Sequence, residues 1–384
     1  MKKRITLVLF ILILISGVSA QTTFSGVLDS AVSMIAGAGD SPYFSFGFEE
    51  YANLRFQSRL REGATIYGAV NLLAAAGIPA VSLAGMGYNI NSENFAAAIE
   101  LERLYFRLRT EHLDFNGGLM RLPFGYGQVW GPSDFLNPRN PVKPDARPRA
   151  VLGASVTWYP INELKLLGFF SAPRDAFETE GKGSGFGISM DRHWDKASVQ
   201  ALYSFEIPFS ANSSKYGIHR AGLSVKADII IGFVMDVLYT YNHEAKTELD
   251  GLSFSAGFDY SFLDGNLIVL AEYLFNGEKS STSVYGGGSF FNNHYLYTGF
   301  TYSFNEFTNM SLGLISCFDD VSFMPAVTVN HEMFQGVTLT ISAQAPMDRD
   351  LFSNDGNKGE LGPIRPGAGA GSHFNCNARV RIRF

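Results

Sequence analysis

Apolar and polar side chains alternate along most of this chain in runs broken by short polar connections. In residues 252–262, Leu252, Phe254, Ala256, Phe258, Tyr260 and Phe262 alternate with Ser253, Ser255, Gly257, Asp259 and Ser261. In residues 337–344, Val337, Leu339, Ile341 and Ala343 alternate with Thr338, Thr340, Ser342 and Gln344. A two-residue period is that of a β-strand with one greasy and one polar face. Such runs recur near 22–36, 44–60, 64–74, 95–109, 112–121, 150–159, 164–171, 184–191, 196–206, 216–227, 230–242, 252–262, 267–276, 294–304, 308–318, 322–332, 337–345 and 373–384, which makes eighteen. Most are near the roughly 9–11 residues that a tilted strand needs to cross a bilayer. The fourth run breaks phase: Leu101 and Arg103 would share a face unless the register slips near Glu102. A β-bulge there keeps Leu104, Phe106 and Leu108 on the greasy face and Arg103, Arg107 and Arg109 on the polar one.

The connections alternate in length. Short ones fall at 61–63, 110–111, 160–163, 192–195, 228–229, 263–266, 305–307 and 333–336; long ones at 75–94, 122–149, 172–183, 207–215, 277–293 and 346–372. This asymmetry is that of a transmembrane barrel with both termini on the short-turn, periplasmic side. Eighteen strands reproduce it; sixteen, the alternative, would merge a well-marked hairpin. Aromatics stand where interfacial girdles belong, with Trp158, Phe262, Phe304 and Phe384 at one edge and Phe170, Phe205, Phe275 and Phe318 at the other. The expected fold is therefore all-β: a transmembrane antiparallel up-and-down β-barrel.

The first twenty residues differ from the rest. Lys2, Lys3 and Arg4 precede an uncharged apolar run, Ile5 to Ile15, and then Val18-Ser19-Ala20. That is the form of a secretory signal peptide, with a mature chain from Gln21. The run is shorter than the about 20 apolar residues of a membrane helix. Removing its three basic residues from the chain's 30 leaves 27 Lys and Arg against 36 Asp and Glu, an acidic balance that argues against nucleic-acid binding. Two cysteines, Cys317 and Cys376, are too few for a disulfide framework.

At the C-terminus, Phe374, Cys376, Ala378, Val380, Ile382 and Phe384 alternate with Asn375, Asn377, Arg379, Arg381 and Arg383. This end resembles the signal by which bacterial outer-membrane β-barrel proteins are recognised for assembly. The resemblance implies an outer-membrane location, lipid around the barrel, and barrel-assembly machinery as a partner through Phe384.

Two groups of residues are candidates for function. Arg55, Arg59, Arg103, Arg107, Arg109, Arg379, Arg381 and Arg383 take inward phase near the ends of three strands that descend to the periplasmic side. Glu49, Glu100 and Glu102 lie nearer mid-barrel. Such a cluster suits an electrostatic filter that favours anions; alternatively, its charges pair off along a polar lumen wall. The second group lies in the loop between strands five and six, 122–149. The run Arg121 to Arg149 holds six of the chain's 15 prolines. Prolines and Trp130 stiffen it, as suits a long loop held in a fixed place. It follows the fifth strand, as does the constriction loop of porins, and Gly127-Gln128-Val129-Trp130-Gly131, Asp134 and Asn137-Pro138 resemble a motif of poorly characterised porin-like barrels. The resemblance implies that Arg121, Gln128, Trp130, Asp134, Arg139, Lys143 and Arg147 form a constriction; a capping loop outside the barrel is the alternative.

Catalysis finds little support. The seven histidines form no His-x-x-x-His pair, and Gly183-Ser184-Gly185-Phe186-Gly187 lacks the spacing of a nucleophile elbow. Asp348, Asp350, Asp355, Asn357 and Glu360 do not follow a calcium-loop spacing. The expectation is a non-enzymatic, cofactor-free channel for small hydrophilic solutes, open to homo-oligomerisation. The rivals are a fatty-acid-type transporter and an adhesin or structural barrel that acts through its loops.

Overall fold

The computed structural model describes residues 21–38, 43–77, 88–91, 94–138, 148, 150–172, 184–207, 217–242, 251–277, 292–348, 359–361 and 371–384. The proposed signal peptide, Arg139, Lys143, Arg147, and Asp350, Asp355 and Asn357 lie outside them. The strands are β1 (Gln21–Ala38), β2 (Tyr43–Arg61), β3 (Ala64–Gly77), β4 (Tyr88–Asn91), β5 (Phe95–Arg109), β6 (Leu113–Met120), β7 (Val151–Ile161), β8 (Leu164–Ala172), β9 (Ser184–His193), β10 (Ala197–Ile207), β11 (Ile218–Asp228), β12 (Gly232–Asn242), β13 (Leu252–Phe262), β14 (Leu267–Asn276), β15 (His294–Asn305), β16 (Thr308–Cys317), β17 (Ser322–Phe334), β18 (Val337–Gln344) and β19 (Gly371–Arg383). Eighteen of them form the wall, each antiparallel to its neighbours.

The sheet closes on itself. β19 pairs with β18 on one side and with β1 on the other, from Val27 opposite Arg383 to Ala38 opposite Gly371. The seam continues past the last strand: Gly26 N–H donates to Phe384 C=O at 2.7 Å, and Phe384 N–H returns to Gly26 C=O at 3.2 Å. The seam is tight at residue 26, where a Cβ would lie 2.5 Å from the Phe384 ring and 3.0 Å from the Asn53 carbonyl oxygen. Closure leaves no row of unpaired backbone groups, which a lipid-facing sheet edge could not tolerate.

Phase along the strands sorts the two faces as expected. Phe44, Phe46, Phe48, Leu54, Val156, Ile188, Phe258, Phe300 and Ile341 stand exposed on the outside. The expected girdle residues Trp158, Phe262, Phe304 and Phe384 are also exposed, near the end that holds both described termini and the short turns. Asp29, Asn53, Asn71, Asp114, Asp191, Gln200, Ser224, Asp236 and Glu272 are buried on the inside. A greasy exterior over a polar, hydrogen-bonded interior is the inverse of a water-soluble core, and it suits lipid outside.

The register slip occurs where the alternation broke. Ala69 pairs with Arg103 and Val70 with Leu101, so Glu102 is the extra, inward-turned residue of a bulge. The one strand the alternation did not reveal is β4, inside the connection read as 75–94. It pairs with Ala96–Ile99 on the edge of β5 that β6 leaves open. β6 stops at Met120 because the next residues turn into the barrel, and β4 supplies the missing neighbour.

Candidate functional site: the lumen and its internal strap

The segment Arg121–Pro138 lies inside the barrel as an irregular strap fastened to the inner wall. Its start is held by the bulge. Arg121 donates to Glu102 Oε1 at 2.8 Å, and Glu102 Oε2 accepts from Asn53 Nδ2 at 2.6 Å. Asn53 also donates to Asn71 Oδ1 at 2.7 Å, where the Tyr51 hydroxyl donates too, and Asn71 donates to Glu100 at 3.0 Å. The strap braces itself next. Asn137 Oδ1 accepts from Leu122 N–H at 2.6 Å, and Asp134 Oδ1 accepts from Phe124 N–H at 3.3 Å. Leu122, Phe124, Phe135 and Leu136 then pack on Leu167, Phe169 and Leu202 of β8 and β10.

Beyond that apolar contact, carboxylates on the wall capture the strap's backbone. Gly125 N–H donates to Gln200 at 2.7 Å, and the Tyr126 hydroxyl donates to Asp191 at 2.5 Å. Burial, and the adjacent Asp191 carboxylate, push the Tyr126 phenol above its ordinary value. Glu272 accepts three successive amides, from Gln128, Val129 and Trp130, each at 2.9 Å. Asp236 accepts Ser133 N–H at 3.2 Å, the Ser133 hydroxyl, and the Ser224 hydroxyl at 2.6 Å. Gly125 must be glycine: its φ is +78°, and a Cβ would lie 2.3 Å from Asp236 Oδ2. A carboxylate that accepts several charge-assisted bonds fixes a chain with no secondary structure of its own.

Trp130 completes the anchorage. It is 1% exposed, among Leu274, Tyr295, Ile315, Cys317, Met324 and Leu361, with Tyr297 edge-on at 6.5 Å. Among the candidates along the strap, Arg121, Trp130 and Asp134 thus serve as anchors. Gln128 donates its side-chain amide to Asp259 at 2.6 Å and stays exposed. Glu272, Asp236, Asp191 and Gln200 were absent from the sequence candidates. Their signal was a lone acid or amide at an inward position of a greasy strand, as in Leu270-Ala271-Glu272-Tyr273-Leu274.

The anchors named so far lie on β2, β3, β5 and β8–β17. The arc β18–β19–β1 carries none of these anchors, and β19 with the nearby β2 and β5 bears the arginine cluster. There Arg381 makes a bidentate pair with Asp29 at 2.7 and 2.8 Å. Nearby, Arg107 and Arg109 converge on Asp114 at 2.6 and 2.8 Å, and Arg103 lies 3.5 Å from Glu102. Arg55 donates to Asn53. Arg59 and Arg383 have no acidic partner within ion-pair distance among the described residues. A cavity of about 340 Å³ is bounded by Ser25, Val27, Arg55, Arg381 and Arg383, and one of about 140 Å³ by Arg55, Gln57, Tyr67 and Arg103.

No family model matches the chain, and neither does any curated protein. Solved structures do. Acinetobacter baumannii OccAB4 matches at 10% identity over 95% of this chain and 99% of its own, with a TM-score of 0.57. A BenF-like porin from Pseudomonas fluorescens Pf-5 matches at 10% identity over 95% and 98%, with a TM-score of 0.58. The outer membrane protein opdK of Pseudomonas aeruginosa matches at 9% identity over 94% and 98%, with a TM-score of 0.54. At such identities the likeness is one of fold, and the fold is that of the outer-membrane porin barrel, closed by eighteen antiparallel strands.

Proposed function

We propose that this protein is an outer-membrane channel for the passive passage of small hydrophilic solutes, with a preference for anions. The observation that carries this reading is the internal strap. A long segment fastened along much of the inner wall narrows the lumen and leaves an arginine-bearing arc beside it. An eighteen-strand barrel is wide enough for an aqueous path unless plugged. Along the arc the charges partly pair. Asp29, Glu102 and Asp114 neutralise part of it, and Arg59 and Arg383 add to a positive surplus near the terminal end. Positive groups along a narrow, low-dielectric path raise the local concentration of anions.

In this reading the short turns and both termini face the periplasm, and the strap narrows the path as a constriction. Lipid surrounds the barrel, Phe384 presents the assembly signal, and no cofactor is needed. The BenF-like porin and the opdK outer membrane protein lend their fold to the reading. Planar-bilayer recording of the mature chain tests it. Discrete open steps with an anion-side reversal potential in a salt gradient are expected. A barrel that inserts and stays sealed would sink the channel and favour the adhesin. Replacing Arg55, Arg107 and Arg381 together by Ser should move the reversal potential towards cations; no movement would refute the filter alone.

A further inference from the structure

One acidic side chain stands on the wrong side of the wall. On the outward face of β2, Glu50 is the central residue of Phe44, Phe46, Phe48, Glu50, Ala52, Leu54 and Phe56. Its partner across β1 is Ser30, itself between Leu28 and Val32 on that face, and Ser30 Oγ donates to Glu50 Oε2 at 2.7 Å. Both side chains are exposed. Among the described strands, Glu50 is the sole Asp, Glu or Lys at an outward position. The outward Arg192 lies at the end of β9, over Trp194 at 5.5 Å, where a cation can reach the interface. Glu50 has no such exit. Three outward residues separate it from either end of its apolar stretch, and hydrocarbon supplies no further hydrogen-bond partner.

We propose that the Ser30–Glu50 pair is the centre of a contact surface for a second copy of this barrel. The inference rests on the membrane reading of the outward face. Self-complementarity identifies the occupant. Donor and acceptor sit side by side on adjacent strands at nearly one depth. A two-fold axis along the membrane normal therefore sets Ser30 of each copy against Glu50 of the other, the isologous arrangement of a symmetric dimer. On the Glu50 side the surroundings permit close approach, because Ala52 follows it on the outward face of β2 and Ala74 lies opposite it on β3, both with small side chains. Across the contact the Glu50 carboxyl O–H of each copy can donate to Ser30 Oγ of the other, whose own proton stays on its neighbouring Glu50, a partner that lipid cannot give.

The test is energy transfer between donor- and acceptor-labelled mature chains in phosphatidylcholine–phosphatidylglycerol vesicles, titrated by protein-to-lipid ratio. Wild type should associate above the random-collision level. Glu50→Leu should weaken association on the order of tenfold, since interhelical-type hydrogen bonds in membranes are individually modest. Glu50→Gln, which keeps donor and acceptor capacity, should stay close to wild type. A wild type that remains monomeric, a Glu50→Leu variant that associates as well as wild type, or a Glu50→Gln variant as weak as Glu50→Leu would each overturn the proposal. Insertion is read separately by conductance. Barrels that conduct yet do not associate refute this contact alone, and chains that never insert refute the membrane reading on which it stands.

Discussion

Glu272→Ala is the sharpest probe of the internal strap. Its carboxylate accepts three consecutive backbone amides at 2.9 Å, and no side chain in the variant can replace it. Hydrogen bonds to a charged acceptor contribute about 1.5–3 kcal/mol each. Lumen water can recover part of that for amides freed by the substitution, so about 1 kcal/mol per bond, or about 3 kcal/mol in all, is the fair loss. That shifts the docked–detached equilibrium by roughly 150-fold. Burial of Trp130 contributes on the order of 5 kcal/mol by itself, so the strap should stay docked for most of the time but detach far more often. A strap on the wall takes up the least cross-section; once loose it sweeps the open arc. Single-channel recording should therefore show more open-channel noise and brief closures, with mean conductance lowered. Iodide quenching of Trp130, read with Trp158 and Trp194 replaced by Phe, should rise in parallel. Noise and quenching equal to wild type would refute the assignment of Glu272 as the latch.

Other substitutions separate the parts of the design. Trp130→Ala should cost the docked strap about 3–5 kcal/mol, as for other buried aromatics, and make residues 121–138 cleavable by added protease; full resistance would contradict the anchor role. Gly26→Val puts side-chain atoms where the Phe384 ring lies and should cost about 1–3 kcal/mol at the seam, seen as a lower melting temperature of the heat-modifiable band on gels. Gly125→Ala combines a left-handed backbone with a Cβ pressed on Asp236, so it should mimic the noise of Glu272→Ala, whereas Gly168→Ala, where a Cβ meets nothing within 4 Å, should not. Replacing Arg59 and Arg383 by Ser should shift the reversal potential towards cations more than Arg109→Ser does, because Arg109 shares Asp114 with Arg107.

The wall itself was legible in the sequence because the rule that builds it is local. Side chains on a strand alternate faces every residue, so Phe254 and Ser255 declare their sides without reference to any distant partner. The same rule located the bulge at Glu102, since Leu101 and Arg103 could not both obey it. Turn chemistry at Asp264-Gly265 and the alternation of short and long connections ordered the hairpins. What local pattern could not reach were contacts between residues far apart in sequence. Trp130 meets Glu272 across 142 positions, and Arg381 meets Asp29 across 352, pairs that exist only once the sheet has closed. β4 escaped notice because four residues carry too little alternation, and its place depends on β6 ending early. Proline content and Trp130 marked the strap as stiff. Its destination was decided by acids on strands that follow it in the chain, because an irregular backbone holds one shape only where outside groups accept its amides.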